Sequence, residues 1–506
     1  MKINQLNVWN RFFSKNEQLA LAGLVLVGIV LRVINALQTQ LWRDEAYIII
    51  TGQNNTFIDL LFQNHWDKLH PPFYFIFIHF WQMLSIDPFF LRLPSIIATV
   101  ATLYLLPILA KNLFPRNNSF PFFVLFFYVF SHTQISLNMV ARPYPFVILA
   151  ITISLIIFFN ILDAHKFSLK NTVLFGITNL LIFFIDYSGI WLILSYGIFG
   201  IIFIAVYYKK NKSKTLHITY ALFSTGIFCL IWLPIFIKNL KYNLNFAHRT
   251  LETSFTEGTY FDSTIWRLPF FSGIIAKESD FLVGFFQWHA MQLAVVFVSI
   301  GLFGLILIFA RQRLKGSFIL VATLFPLIIT FIYSIYAYVI FHGRFLLTFN
   351  YFIIFGYTFI SFIIYKYFRY FIFIILFFLV VNFFSNFPGL HYVDPPYDWK
   401  KITFLLHEQG KKSEETIIVT TSEPHMFAPV QLYEQFTPIR NVRVINISEA
   451  LSPYYQKNLK RIFLLDIDKT EKSISTIQKL QEFYNCTPKQ IEVDDYIYYV
   501  ECTPDE

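Results

Sequence analysis

Long apolar runs recur from Leu19 to Phe384, separated by short polar or basic breaks. They fall at 18–37, 92–110, 119–136, 144–161, 172–186, 188–207, 216–236, 290–310, 317–338, 345–364 and 371–386. Each predicts a membrane-spanning helix, for which about 20 apolar residues suffice. "PPFYFIFIHFWQMLSI", from Pro71 to Ile86, is apolar but short for a span. Placed along the membrane surface, it lets the basic loops alternate. Lys111 and Arg116, Lys166 and Lys170, "KKNKSK", "RQRLK", and Lys366 with Arg369 then share one side with the basic N-terminus. Cytoplasmic loops carry such an excess. About eleven spans follow, with the N-terminus inside and the C-terminus outside. Short or broken helices leave room for a twelfth or thirteenth.

The pattern changes after residue 386. Short strand-like runs, "TIIVTT", "RVINI", "RIFLLDI" and "YIYYVEC", alternate with helical stretches such as "DWKKITFLLHEQG". The reading is a helical polytopic membrane domain, 1–386, followed by a small extracytoplasmic α/β domain, 387–506. Two further segments, 38–91 and 238–289, become outer loops.

Composition agrees. Of 506 residues, 56% are hydrophobic and only 14% charged, against about 25% charged in soluble domains. The net charge of +9 fits basic cytoplasmic loops rather than nucleic-acid binding. Three cysteines exclude a four-thiolate metal cluster and a disulfide-built fold. Cys229 reads as packing within a span. Cys486 and Cys502 flank "KQIEVDDYIYYV"; in an oxidising compartment they pair, and otherwise they are free thiols. The first apolar run exceeds a signal-peptide core and has no convincing cleavage site, so it reads as a retained helix.

With this topology the scarce polar residues near the membrane gather on the outer side. Asp44 and Glu45, in "LWRDEAY", follow the first span. "DKLHPPFYF" brings Asp67, Lys68 and His70 to the start of the surface helix. Arg142 and Tyr144 ("ARPYPF"), Asp186 and Tyr187, and His342 with Arg344 ("FHGRF") lie in outward turns. Taken singly, each has a plainer reading: a surface ion pair for Arg43 and Asp44, a snorkelling anchor for Arg142, an interfacial belt for the tyrosines. Taken together, two outward arginines in otherwise unbasic short loops point to an anion at the membrane surface. Guanidinium forks suit a phosphate. A carboxylate supplies the general base that an acceptor hydroxyl needs to attack a sugar carbon. No nucleotide-binding glycine motif appears in a strand–helix context, and a sugar donor on the outer face would have to be lipid-linked.

"LWRDEAY", "HPPFYFIFIHFW", "FLRLPSIIATVATLYLLPILAKNLF", "ARPYPF" and "GRFLL" resemble the GT-C membrane glycosyltransferases. More narrowly, they resemble the dolichyl-phosphate-mannose–protein mannosyltransferase-like and aminoarabinose-transferase-like group. "PPYDWKKITFLL" resembles the segment that opens the outer domain there. The resemblance covers the first ~150 residues well. It implies a bacterial inner-membrane enzyme that moves a sugar from a polyprenyl-phosphate donor to a glycan, lipid or protein hydroxyl with inversion. It implies Asp44 as base, with Glu45 orienting it or helping to hold a divalent metal ion. His70 would sit at the donor phosphate or metal, and Arg142 and Arg344 on phosphate or carboxylate groups. Relatives often carry Glu where this chain has Val140, and His-Tyr where it has Asp186 and Tyr187. His70, His342 and Asp186 leave metal use open. Two other classes compete: a transporter or flippase, which favours ionisable groups at the bilayer midplane and repeated halves, and a polymerase or ligase of lipid-linked glycans.

Overall fold

The computed structural model describes residues 9, 12–39, 41, 43–62, 70–164, 166–209, 212–231, 233–239, 299–336 and 347–386, with short stretches between 417 and 504. Two compact units are present. One comprises Met1–Ala36, Ile58–Tyr74 and Arg92–Leu390; the other comprises Leu37–Phe57, Phe75–Leu91 and His391–Glu506.

Helices dominate. In chain order they are α1 (Lys15–Gln38), α2 (Arg43–Asn54), α3 (Phe57–Leu61), α4 (Pro72–Trp81), α5 (Pro88–Leu113), α6 (Ser119–Val129), α7 (His132–Met139), α8 (Tyr144–Asp163), α9 (Leu169–Ile185), α10 (Ile190–Tyr207) and α11 (Lys212–Leu230). Then come α12 (Leu233–Asn239), α13 (Ser299–Arg311), α14 (Arg313–Tyr336), α15 (Leu347–Tyr367) and α16 (Arg369–Asn386). Among the described residues, five helices are long and apolar enough to cross a membrane, or seven if each of two bent pairs is one span. Shorter apolar helices occupy the described residues of the other predicted runs, with 290–310 described only from Ser299, and Pro72–Trp81 is a further short apolar helix. The chain is a multi-pass membrane protein.

Two runs expected to be straight are broken. In 119–136, α6 stops at Val129 and α7 starts after Ser131, bent by 68°. Ser131 is the N-cap, its hydroxyl accepting from the Gln134 amide at 3.3 Å. In 216–236, α11 gives way to α12, bent by 61°. Pro234 falls in the first turn of α12, where its missing amide costs nothing.

Within the larger unit, α9 packs on α8 and α11, α10 on α14, and α15 on α6 and α14. Phe158 is wholly buried among Tyr196, Phe318, Phe175 and Phe199. Buried polar pins cross the helices: Ser154 donates to Asn179 (2.9 Å) and Asn179 to Thr225 (3.0 Å). Hydrogen bonds and small residues hold helices together where lipid removes the usual hydrophobic drive. Glycines make one crossing close. A Cβ on Gly304 would run into the Gly356 carbonyl, and one on Gly356 into the Gly301 carbonyl. Gly356→Leu should therefore separate α13 from α15 at a cost of about 1–3 kcal/mol or more. A thermal midpoint in detergent equal to that of the native chain would contradict this packing.

The smaller unit contains a five-stranded sheet in the order β2-β1-β3-β5-β4. The strands are β1 (Ile417–Thr420), β2 (Val442–Val444), β3 (Ile462–Ile467), β4 (Cys486–Asp494) and β5 (Ile497–Pro504). β1 runs parallel to β2 and β3, while β5 is antiparallel to β3 and β4. Parallel neighbours need crossover connections; those segments, and "DWKKITFLLHEQG", lie outside the described residues. Cys502 stands opposite Pro488 and Cys486 opposite Pro504, so the two cysteines are diagonal neighbours across β4 and β5.

Candidate active site

Three distant segments converge in the larger unit. His70 precedes α4. Arg142 lies between α7 and α8, where its amide closes a tight turn to the Val140 carbonyl at 2.8 Å. Tyr144 opens α8. Asp186 ends α9 and caps the short 3-10 turn Tyr187–Gly189, accepting from the Ser188 amide at 2.8 Å. That cap fixes the carboxylate where an apolar helix ends.

These side chains form a line. Arg142 Nη2 lies 3.1 Å from His70 Nε2 and donates to the Tyr144 hydroxyl at 3.4 Å. The guanidinium also stands 5.6 Å over the Tyr144 ring. His70 Nδ1 is 3.8 Å from Asp186 Oδ2. A guanidinium only donates, so His70 Nε2 accepts and its proton resides on Nδ1, facing Asp186. The line therefore runs phenol, guanidinium, neutral imidazole, carboxylate. Arg142 is 2% exposed and Asp186 4%, so both charges act in a low-dielectric setting where electrostatic interactions are strong. Phe73, Tyr74, Phe146 and Phe184 wall the segment with edge and tilted ring contacts.

Tyr187 contacts other groups: its hydroxyl accepts from Asn239 at 3.5 Å and its ring meets Phe183 and Phe236. His342, Arg344, Asp67 and Lys68 lie outside the described residues.

The smaller unit holds the paired carboxylates. Asp44 and Glu45 occupy the first turn of α2, where the helix dipole favours negative charge. Asp44 is half-buried, while Glu45 is 0% exposed. The other half of α2 is gripped by α4. His79 Nδ1 meets the Gly52 carbonyl at 2.7 Å, so that nitrogen carries the proton. With its amide oriented to suit its neighbours, Gln82 donates to Ile49 O and accepts from Gln53 N, both at 3.1 Å. A Cβ on Gly52 would press on Ile78 and Gln82. Sequence reasoning missed His79 and Gln82. The signal available was a pair of polar residues, three apart, at the end of an otherwise apolar helix.

Among the described residues, no three of His, Cys, Asp and Glu stand together as a metal group. His70 and Asp186 supply two donors, and a guanidinium faces His70 Nε2. A metal at Nε2 would have to displace Arg142, whereas Nδ1 and Asp186 Oδ2 stand 3.8 Å apart.

No family model matches the sequence, and neither does any curated protein. The fold is similar to that of the archaeal oligosaccharyltransferase AglB from Archaeoglobus fulgidus, solved with an inhibitory peptide and a dolichol-phosphate. The identity is 11%, over 90% of this chain and 70% of that one, with a TM-score of 0.52. ArnT from Cupriavidus metallidurans, solved in the apo state, aligns over 95% of this chain and 97% of its own, at 10% identity and a TM-score of 0.45. The chain has the GT-C fold, in keeping with the resemblance carried by its motifs.

Proposed function

We propose that this protein is a membrane glycosyltransferase. It moves a sugar from a polyprenyl-phosphate donor to a hydroxyl of a glycan, lipid or protein, at the outer face of a bacterial inner membrane. The observation that carries the reading is the Tyr144–Arg142–His70–Asp186 line. A membrane protein with few charges has gathered a buried guanidinium, an imidazole and a carboxylate from three remote segments. Burying charged groups is costly unless they are paired and hydrogen-bonded.

The reaction asks for two things. Charge develops on the phosphate oxygen as the bond to the sugar breaks, and Arg142 supplies fixed positive charge and hydrogen bonds there. Arg344 supports the same phosphate. His70, neutral with its proton toward Asp186, holds the guanidinium in its plane. The attacking hydroxyl must also lose a proton as it bonds to the sugar carbon. Asp44, half-exposed at the positive end of α2, receives it, and Glu45 orients Asp44. Attack opposite the leaving phosphate inverts the anomeric carbon.

The test is to incubate the purified protein with a polyprenyl-phosphate sugar and a panel of hydroxyl acceptors. Free polyprenyl phosphate and a product of inverted anomeric configuration are expected. A retained configuration would sink the single-displacement reading, and intact donor would sink the enzyme.

A further inference from the structure

Arg32 lies within α1, a helix apolar and long enough to cross a membrane, and is 1% exposed. A guanidinium there is costly unless its hydrogens are met. Among the described residues no carboxylate pairs with it. Instead Nη1 donates to its own helix, at Gly28 O (3.0 Å), and Nη2 reaches Tyr128 O (3.4 Å). The guanidinium also stands 5.6 Å over the Tyr128 ring.

Tyr128 is in the last turn of α6, where carbonyls lack helical partners and the helix dipole is negative. Arg32 thus serves the broken end of the bent α6–α7 pair. From there the contacts continue. Asn138 Nδ2 donates to the Tyr128 hydroxyl at 2.9 Å, and Asn138 O accepts from Thr99 on α5 at 3.1 Å. All are buried. Asn138 lies on α7, four residues before Arg142.

We infer that Arg32 and Tyr128 are positioning residues: they fix the bend between α6 and α7 and so present Arg142 to His70. Their effect on ligand affinity rests on the proposed phosphate-binding role of Arg142. Their mechanical role does not.

A double-mutant cycle in the full-length protein, in detergent, separates the two. The readouts are Kd for a polyprenyl phosphate and the thermal midpoint. Arg32→Gln should weaken binding about tenfold, and Arg32→Lys should recover most of it. In an Arg142→Gln background, Arg32→Gln should weaken binding less than about twofold further, because its effect passes through Arg142. The midpoint changes should likewise be non-additive, although the two arginines share no hydrogen bond. Additive changes in both readouts would overturn the inference, since independent sites add. If Arg142→Gln leaves Kd unchanged but the midpoints remain non-additive, the positioning role stands and the phosphate reading falls. If Arg32→Gln does not fold, Tyr128→Phe, which keeps the ring and removes the hydroxyl, runs the same cycle with the same expectations.

Discussion

Asp44→Asn is expected to lower the turnover of a polyprenyl-phosphate sugar by about a thousandfold while leaving the donor KM within about twofold, because a positioned base contributes roughly 10²–10⁴. The substitution is nearly isosteric. Asn is also well tolerated around a helix N-terminus, so α2 should form unchanged. Its remaining turns are held by His79 and Gln82 rather than by Asp44. A loss of rate without a shift in thermal midpoint assigns Asp44 to chemistry. Full turnover would return Asp44 to the plainer role of a dipole-compensating residue, and the base would be sought at Glu45 or Asp186.

Arg142→Gln has the second largest expected effect, a fall in kcat/KM of about 10²–10³, the range for removing a preorganised donor from a developing anion. The change deletes the charge, the contact to His70 and the contact to Tyr144 together. Arg142→Lys restores the charge as a point but not the planar fork. It should therefore recover only part of the loss, chiefly in KM. Equal activity in all three proteins, measured by initial rates against donor concentration, would remove Arg142 from the site.

Much of the membrane domain was legible because apolar length is a direct physical requirement of a bilayer. Over their described residues the eleven apolar runs coincide with helices or bent helix pairs, the run 290–310 being described only from Ser299. Breaks were not legible from hydropathy, since it averages over them. The signals were present: "SHTQ" at Ser131–Gln134 has the spacing of an N-terminal capping box, and Pro234 marks the second break. The helical state of the Asp44–Glu45 segment was also missed, because its mixed polar character gives weak periodicity. In the sheet, β4 went unread. It carries Pro488, normally evidence against a strand, yet β4 is an edge, where a missing amide is tolerated.

The site divides in the same way. Outward clustering picked out His70, Arg142, Tyr144 and Asp186 from their turns, and the fold joins them in one line. What the sequence could not show is which atom meets which. The placement of the imidazole proton follows only from the 3.1 Å contact to a group that can only donate. Arg32 was overlooked because a lone charge hardly alters the hydropathy of a long run. Its burial and its contact with the end of α6 give it meaning.

The most direct test of sugar transfer uses a donor labelled separately on the sugar and on the polyprenyl phosphate, with the protein in sealed vesicles and an acceptor supplied outside. Transfer predicts that the labels part company. Sugar label should appear on the acceptor, polyprenyl phosphate should remain in the bilayer, and both should be lost in Asp44→Asn. Labels that stay joined while the donor changes leaflet would contradict the enzyme and identify a transporter.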